Sequence, residues 1–174
     1  MKILALDSSG LVASVAVVEN DTLLAEYTVN YKKTHSQTLL PMLDEISNMT
    51  ELDLSTIDAI AVAGGPGSFT GLRIGSATAK GLGLALEKPL ISIPTTAAIA
   101  YNIWDTDKFV CPIMDARRNQ VYTGVYCYTD HRLDTVWEQD TMSIEALAEG
   151  LNCLDHEVIF LGDGVAVYRE KLEA

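Results

Sequence analysis

The chain has 174 residues, of which 48% are hydrophobic and 7% aromatic, and it carries a formal net charge of −12. This length can bury an aliphatic core in one large domain or two compact lobes, and the negative charge argues against unaided binding to nucleic-acid phosphates. No apolar stretch approaches the roughly 18 residues that cross a bilayer, and Asp7 ends the first apolar run before a signal peptide could form. We therefore expect a cytoplasmic protein with no membrane partner.

The first part of the chain predicts an antiparallel meander that leads into βα units. Three β-like runs, KILALD, LVASVAVV and TLLAEYTV, are separated by turn residues. A helical pattern follows over residues 35–49, and Pro41 should kink or shorten its first turn. The apolar run IDAIAVA, a glycine-rich segment, a long helix to about Leu86, the short strand LISI and a helix opened by Pro94 complete this part.

From Phe109 the same order of elements begins again. The strand FVCPIMD ends at Asp115 as the first strand ends at Asp7; two further β-like runs, the helix SIEALAEGL, the strand EVIFLG and a helix opened by GDG follow. Repetition of this order predicts an α/β fold with two related lobes, each a mixed sheet flanked by helices. We place the lobes at residues 1–104 and 105–174, and we expect the second to be incomplete because its pattern stops inside the last helix.

The segment GGPGSFTGLRIG, residues 64–75, fits a structural turn better than a known nucleotide or catalytic motif. A P-loop requires a lysine directly after a glycine, and Arg73 lies two residues past Gly71. A dinucleotide fingerprint requires G-x-G-x-x-G, and Thr70 stands where its third glycine would be. A nucleophile elbow requires G-x-S-x-G, and Pro66 and Thr70 stand at the glycine positions around Ser68. Because Ser68 is a good helix N-cap, we interpret the glycines as a sharp turn from strand to helix. A weak anion site at this turn stays open as the alternative.

The long helix has two nonpolar faces when it is drawn at 100° per residue. We expect the first face to cover the sheet, and it consists of Ile74, Ala77, Gly81, Leu84 and Ala85. The second face has small residues at steps of four positions with leucines between them: Gly71, Leu72, Gly75, Ala79, Leu82, Gly83 and Leu86. Each glycine in an exposed helix costs about 1 kcal/mol, so we expect something to pack on this second face.

The preceding helix carries an apolar stripe that could meet the same face. It consists of His35, Leu39, Leu40, Met42, Leu43, Ile46 and Met49. Two interpretations remain open: the two helices cover each other, or they form a flat surface that docks on another subunit with a similar pair of helices. Under the second interpretation, Gly71→Leu or Gly75→Leu should block association and leave the fold mostly intact.

Several segments resemble the TsaB (YeaZ) family from residue 2 to about 168, among them HSQTLLPML, IDAIAVAGGPGSFTGLRIG, KPLISIPTTAAIA and MDARRNQVYTGVY. The resemblance implies the fold of actin, sugar kinases and heat-shock ATPases, which has two ribonuclease-H-like lobes. It also implies a non-catalytic subunit that binds a homologous catalytic subunit, TsaD. Together with the small ATPase TsaE, this pair would transfer a threonylcarbamoyl group to a tRNA adenosine, so that tRNA is reached only through the complex.

The family resemblance further implies homodimers and TsaD heterodimers that form through the first two helices. The candidate interface residues are then His35, Leu39, Leu40, Leu43, Ile46, Gly71, Leu72, Gly75, Ala79, Leu82 and Gly83.

The resemblance predicts neither a cofactor nor a metal. The catalytic relative is expected to carry two metal-binding histidines one helical turn apart, and the matching positions here hold Thr95 and Ile99. Asp7-Ser8-Ser9 resembles the first phosphate loop of the superfamily, and Asp115 occupies the matching corner of the second lobe. These carboxylates could belong to a nucleotide or Mg²⁺ site, but we expect them to cap turns at strand ends.

Two rival functions are a glycoprotease-like peptidase and a degenerate ATP-binding protein of the same superfamily, such as a small-molecule kinase. A peptidase would need a nucleophile with a base, and no histidine lies in a recognisable motif with Ser68 or with a cysteine. The cysteines, Cys111, Cys127 and Cys153, lack a CxxC pair, so we interpret them as reduced packing residues.

Overall fold

A computed structural model describes residues 1–31 and 34–173 of the protein. Its contacts divide the chain into two units, Met1–Ile93 and Pro94–Ala174. Each unit is built on one mixed sheet with helices packed against it, which is the duplicated α/β arrangement that the repeated sequence pattern predicts. Within the described ranges, no helix is both long enough and apolar enough to span a membrane.

Over residues 1–31 and 34–93, the first unit contains five strands and two α-helices. They are β1 Lys2–Asp7, β2 Ala13–Glu19, β3 Thr22–Val29, α1 Leu39–Thr50, β4 Ala59–Gly65, α2 Phe69–Leu86 and β5 Leu90–Pro94. Strands β1 to β3 form an antiparallel meander, β4 runs parallel to β1, and the strand order is β3-β2-β1-β4-β5. The meander and the following βα units are confirmed.

Alternating side chains of the meander form the surface on which the helices pack. Leu4 and Leu6 of β1 are buried together with Val15 and Val17 of β2, because residues two apart in a strand lie on the same side of the sheet. The same buried cluster contains residues of both helices. The core of this unit is therefore aliphatic, as its composition predicts.

The predicted helix over residues 35–49 is divided in the structure. A 3-10 turn spans His35–Gln37, and α1 begins only at Leu39. Pro41 consequently lies in the first turn of α1, where a missing backbone N–H costs nothing because that group has no partner within the helix. The expected shortening at Pro41 is confirmed.

The second unit repeats the topology with four strands. Its elements are α3 Thr95–Ala100, β6 Phe109–Asp115, β7 Gln120–Thr129, β8 Arg132–Ser143, α4 Ile144–Asn152, β9 Val158–Leu161 and α5 Gly164–Leu172. Strands β6 to β8 form the antiparallel meander, β9 runs parallel to β6, and the order is β8-β7-β6-β9. β6 and β9 thus correspond to β1 and β4 of the first unit.

Helix α3 packs within the second unit, although the sequence-based boundary at 104/105 assigns it to the first lobe. Ala100 of α3 is buried in a cluster with Val110 and Tyr126. The Thr96 hydroxyl oxygen also lies 2.7 Å from the Tyr126 hydroxyl oxygen. The contacts therefore assign residues 94–104 to the second unit, whereas the sequence pattern assigns them to the first lobe. The two differ because α3 contacts residues that are distant in sequence, which a local pattern does not show.

A polar network on the second unit makes its stability depend on pH. The Lys171 ammonium and the Asn119 amide donate to the Glu145 carboxylate and lower its pKa from 4.5 to about 2. A carboxylate with a lowered folded-state pKa stabilises the fold above pH 4.5, and this contribution disappears as the pH falls toward 2.

We predict that Glu145→Gln has a lower melting temperature than the wild type at pH 7, and that the difference narrows between pH 4.5 and 3. Thermal unfolding of both proteins across this range checks the prediction. A difference that stays constant from pH 7 to 3 would show that the ionised Glu145 side chain does not stabilise the fold.

A candidate docking face on helix α2

The glycine-rich segment between β4 and α2 closes onto the loop that follows β1. The Ser68 amide donates to the Ser9 carbonyl at 2.6 Å, and the Ser68 hydroxyl accepts from the Gly71 amide at 3.3 Å. A Cβ atom at Gly67 would overlap the Ser9 carbonyl oxygen. The chain itself thus engages the amides of Ser68 and Gly71, which supports the interpretation of this segment as a capped structural turn.

The glycine row of α2 packs against other parts of the protein's own chain. A Cβ atom at Gly71 would overlap the carbonyl oxygen of Ser8, and one at Gly75 would lie 2.5 Å from the Ser8 hydroxyl oxygen. At Gly83 a Cβ atom would lie 2.8 Å from the side chain of Leu90. These glycines therefore pack against the protein's own chain, which favours a covered row over the alternative of a free docking row. Glycine is needed there because the β1 loop and the start of β5 approach the helix closely.

Most of the predicted interface residues of α1 are also covered by the first unit. Leu39, Leu43 and Ile46 are buried in its core, as is Ala79 of α2. A buried side chain cannot contact a partner. These four residues therefore belong to the core of the first unit and cannot form an interface. Four other residues of the predicted interface are not buried: His35, Leu72 and Leu82 are half-buried, and Leu40 is exposed.

His35 has a structural contact of its own. Its Nε2 atom lies 2.9 Å from the Gly10 carbonyl oxygen in the loop after β1. Its ring carbon Cδ2 would lie 3.3 Å from a Cβ atom at Gly71. The histidine thus joins the start of the α1 segment to the β1 loop and to α2.

The opposite side of α2 lies at the surface. Ala77, Gly81, Leu84 and Ala85 are exposed, and we call these four residues the outer row. Leu84 is 84% exposed, and no atom lies within 4 Å of a Cβ position at Gly81. Of the face expected to cover the sheet, only Ile74 packs against the core, and these four residues lie at the surface instead. Ala77, Gly81 and Ala85 are four positions apart, a spacing at which small residues let another helix approach closely.

The residues that resemble a phosphate loop make turns at the ends of strands. The Asp7 carboxylate accepts from the Ser9 amide at 2.7 Å, and the Asp115 carboxylate accepts from the Arg117 amide at 2.9 Å. Both are bonds from residue i to residue i+2, the arrangement of an Asx turn. The buried Ser8 hydroxyl donates to the Gly71 carbonyl at 2.9 Å. These contacts support the turn-capping alternative.

The positions that match the metal-binding histidines lie at the start of α3. Thr95 is the first residue of this helix and is buried, and Ile99 follows one turn later. A threonine hydroxyl and an alkyl side chain do not reproduce the paired imidazoles of such a site. Across residues 1–31 and 34–173, no three His, Cys, Asp or Glu side chains come close enough together to hold a metal ion.

We predict that Cys111 is chemically inert in the folded protein. It is fully buried, and burial raises the pKa of its thiol to about 12, so the reactive thiolate is absent near neutral pH. Iodoacetamide at pH 8 should label the exposed Cys153 and should reach Cys111 only after unfolding in urea. Peptide mass mapping reads out both sites. Equal labelling of the two cysteines in the native protein would contradict this prediction.

The two units together define the class of the protein. Each unit has an antiparallel three-stranded meander that continues into a parallel strand and helices. The presence of this unit twice in one chain is the duplicated fold of actin-like ATPases and sugar kinases. An exopolyphosphatase from Cytophaga hutchinsonii shares this fold with a TM-score of 0.51 at 10% identity, over 98% of this chain and 72% of that one.

Closer relatives identify the family. A family model described as "TsaD: tRNA N6-adenosine threonylcarbamoyltransferase" matches residues 22–173. The tRNA threonylcarbamoyladenosine biosynthesis protein TsaB of Bacillus subtilis is 35% identical over 173 residues, which are 99% of this chain and 76% of that protein. A Pseudomonas aeruginosa crystal structure, described as an uncharacterized protein with similarity to peptidase YeaZ, matches with a TM-score of 0.86 at 29% identity, over 98% of this chain and 79% of that one. The chain belongs to the TsaB (YeaZ) family.

Proposed function

We propose that the protein is a non-catalytic subunit in the formation of threonylcarbamoyladenosine in tRNA, and that it acts by docking a TsaD-like catalytic subunit on the outer row of α2. The observation that carries this proposal is the exposed, small and apolar surface around Gly81 and Leu84. A polar or charged surface would be expected on a helix that remains in water. The relative from B. subtilis is named for biosynthesis of this nucleoside, and the matching family model is named for the transferase.

The contacts of potential catalytic groups favour a supporting role over the peptidase alternative. A serine or cysteine nucleophile needs a neighbouring base. The three histidines of the chain instead contact the Gly10 carbonyl, the Asp105 carboxylate and the Asp107 carbonyl. The Ser68 hydroxyl is used to cap α2, and the Cys111 thiol is buried and protonated.

The contacts of the β1 loop argue against ATP turnover by this chain alone. In the phosphate-loop segment, the Ser8 hydroxyl is bonded to the Gly71 carbonyl and the Asp7 carboxylate to the Ser9 amide. A nucleotide phosphate at this loop would compete with both bonds. Because the net charge of −12 opposes direct tRNA binding, we infer that tRNA and a TsaE-like ATPase join through the complex in the cytoplasm. In the absence of TsaD, the same outer row would support a homodimer.

Reconstitution from purified components tests the proposal. We expect light scattering to show a one-to-one complex of this chain with a TsaD-like subunit, and tRNA modification to require both proteins together with the TsaE-like ATPase. The chain alone should hydrolyse neither ATP nor a peptide substrate. The proposal is wrong if the chain alone turns over either substrate, or if TsaD modifies tRNA equally well without it.

A further inference from the structure

A groove runs along the side of α2 that faces the sheet edge and borders the outer row at Ala77. Its volume is about 630 Å³, and it lies between α2 and the ends of β4 and β5. The lining residues are Val62, Ala63, Gly64, Phe69, Leu72, Arg73, Ser76, Ala77, Lys80, Leu90 and Ser92. This lining contains no aspartate or glutamate, although the chain has 24 of them. The groove is therefore a locally basic site on an acidic protein.

Two cationic side chains define the polar character of the groove. Arg73 and Lys80 are two helical turns apart, so their backbones are separated by about 10 Å along α2. The Arg73 guanidinium lies 5.4 Å from the centre of the Phe69 ring, a cation–π contact that orients it. In the part of the chain that the structure describes, neither cation forms an ion pair with a carboxylate. Both charges are thus available to a ligand.

Apart from the two cations, the lining of the groove is mostly apolar. Val62, Leu72 and Leu90 provide aliphatic surface, and Ser76 and Ser92 add hydroxyl groups. Leu90 is 41% exposed at the start of the edge strand β5, which is unusual for a leucine in a sheet covered by a helix. A matching ligand needs apolar groups for the floor and two negative charges for Arg73 and Lys80.

We propose that this groove binds an extended acidic segment of a partner protein, with two carboxylates about 10 Å apart and apolar side chains between them. Three residues of polyproline II conformation span about 9 Å and place both carboxylates on the same side of the segment. A nucleic-acid strand matches the charges but has no aliphatic groups for Val62, Leu72 and Leu90. The groove and the outer row share only Ala77 among the residues named for each, so this binding uses a different set of contacts and goes beyond the docking of a TsaD-like subunit.

Fluorescence anisotropy with a labelled peptide tests this proposal on the whole chain. The peptide carries two glutamates three positions apart with leucine and proline between them, and its partner peptide carries glutamines in their place. We expect the glutamine peptide to bind at least tenfold more weakly. Arg73→Glu combined with Lys80→Glu should lose binding of the acidic peptide and gain binding of a peptide with lysines at the two positions, which also shows that the variant is folded.

Two controls separate this groove from other surfaces. Arg132→Glu makes the same kind of charge change on an exposed strand residue of the second unit and should leave binding unchanged, as should Gly81→Leu in the outer row. The proposal is wrong if the acidic and glutamine peptides bind equally or if Arg132→Glu weakens binding as much as the double variant. It is also wrong if a single-stranded oligonucleotide binds through Arg73 and Lys80 while the acidic peptide does not.

Discussion

Gly71→Ala should destabilise the protein by about 2 kcal/mol or more, whereas Gly81→Ala in the same helix should stabilise it by up to about 1 kcal/mol. The added methyl group at Gly71 would overlap the Ser8 carbonyl oxygen, so either the β1 loop or the start of α2 must move. At Gly81 the methyl group meets no atom, and alanine is the better helix former. Urea unfolding followed by circular dichroism measures both changes.

Gly71→Ala and Gly81→Ala are matched controls for each other, because both replace a glycine of α2 by alanine. Gly75→Ala should be intermediate, since the atom that it meets is the Ser8 hydroxyl, which can rotate away more easily than a carbonyl. Equal stability of Gly71→Ala and Gly81→Ala would mean that the glycine row does not pack on the β1 loop. The earlier expectation for Gly71→Leu and Gly75→Leu changes accordingly: both should damage the fold before they affect association.

Gly81→Leu should weaken association with a TsaD-like subunit at least a hundredfold, or about 2.7 kcal/mol, without loss of folding stability. The leucine side chain projects from the outer row into open space, so it is tolerated in the free protein. It would hold an approaching helix away from the small residues on either side, Ala77 and Ala85. Sedimentation or calorimetric titration measures the affinity, and urea unfolding measures the stability.

Gly81→Ala is the control for this second prediction, because it keeps the outer row small and should retain wild-type affinity. Leu84→Lys should resemble Gly81→Leu, since it places a charge in the same surface and removes no buried contact. A Gly81→Leu protein that purifies with the catalytic subunit at the wild-type stoichiometry would exclude the outer row as the interface.

The strands and their duplication could be predicted because both depend on local pattern. The runs KILALD and TLLAEYTV coincide with β1 and β3, since short runs of apolar and β-favouring residues bounded by turn residues identify strands without reference to their neighbours. The boundary of α3 could not be predicted in this way. The hydrogen bond between the Thr96 and Tyr126 hydroxyl groups joins residues 30 positions apart, and nothing in the local sequence marks that pairing.

The two faces of α2 show where sequence reasoning fails for a site. Both rows are small and apolar, and helical periodicity separates them without indicating which one meets the protein's own backbone. The deciding contacts come from Ser8, which is 63 positions before Gly71. The groove was missed for the same reason. Arg73 and Lys80 occur within one narrow polar arc of the helix, and only the position of β5 shows that they border a cavity.

Hydroxyl-radical footprinting of the free chain and of its complex with a TsaD-like subunit tests the central claim most directly. The account predicts that oxidation of Leu84, which is 84% exposed in the free chain, falls several-fold in the complex. Leu23 on β3, which is 55% exposed, serves as the reference and should be oxidised equally in both states. A stable complex in which Leu84 is oxidised as fast as in the free chain would contradict the account.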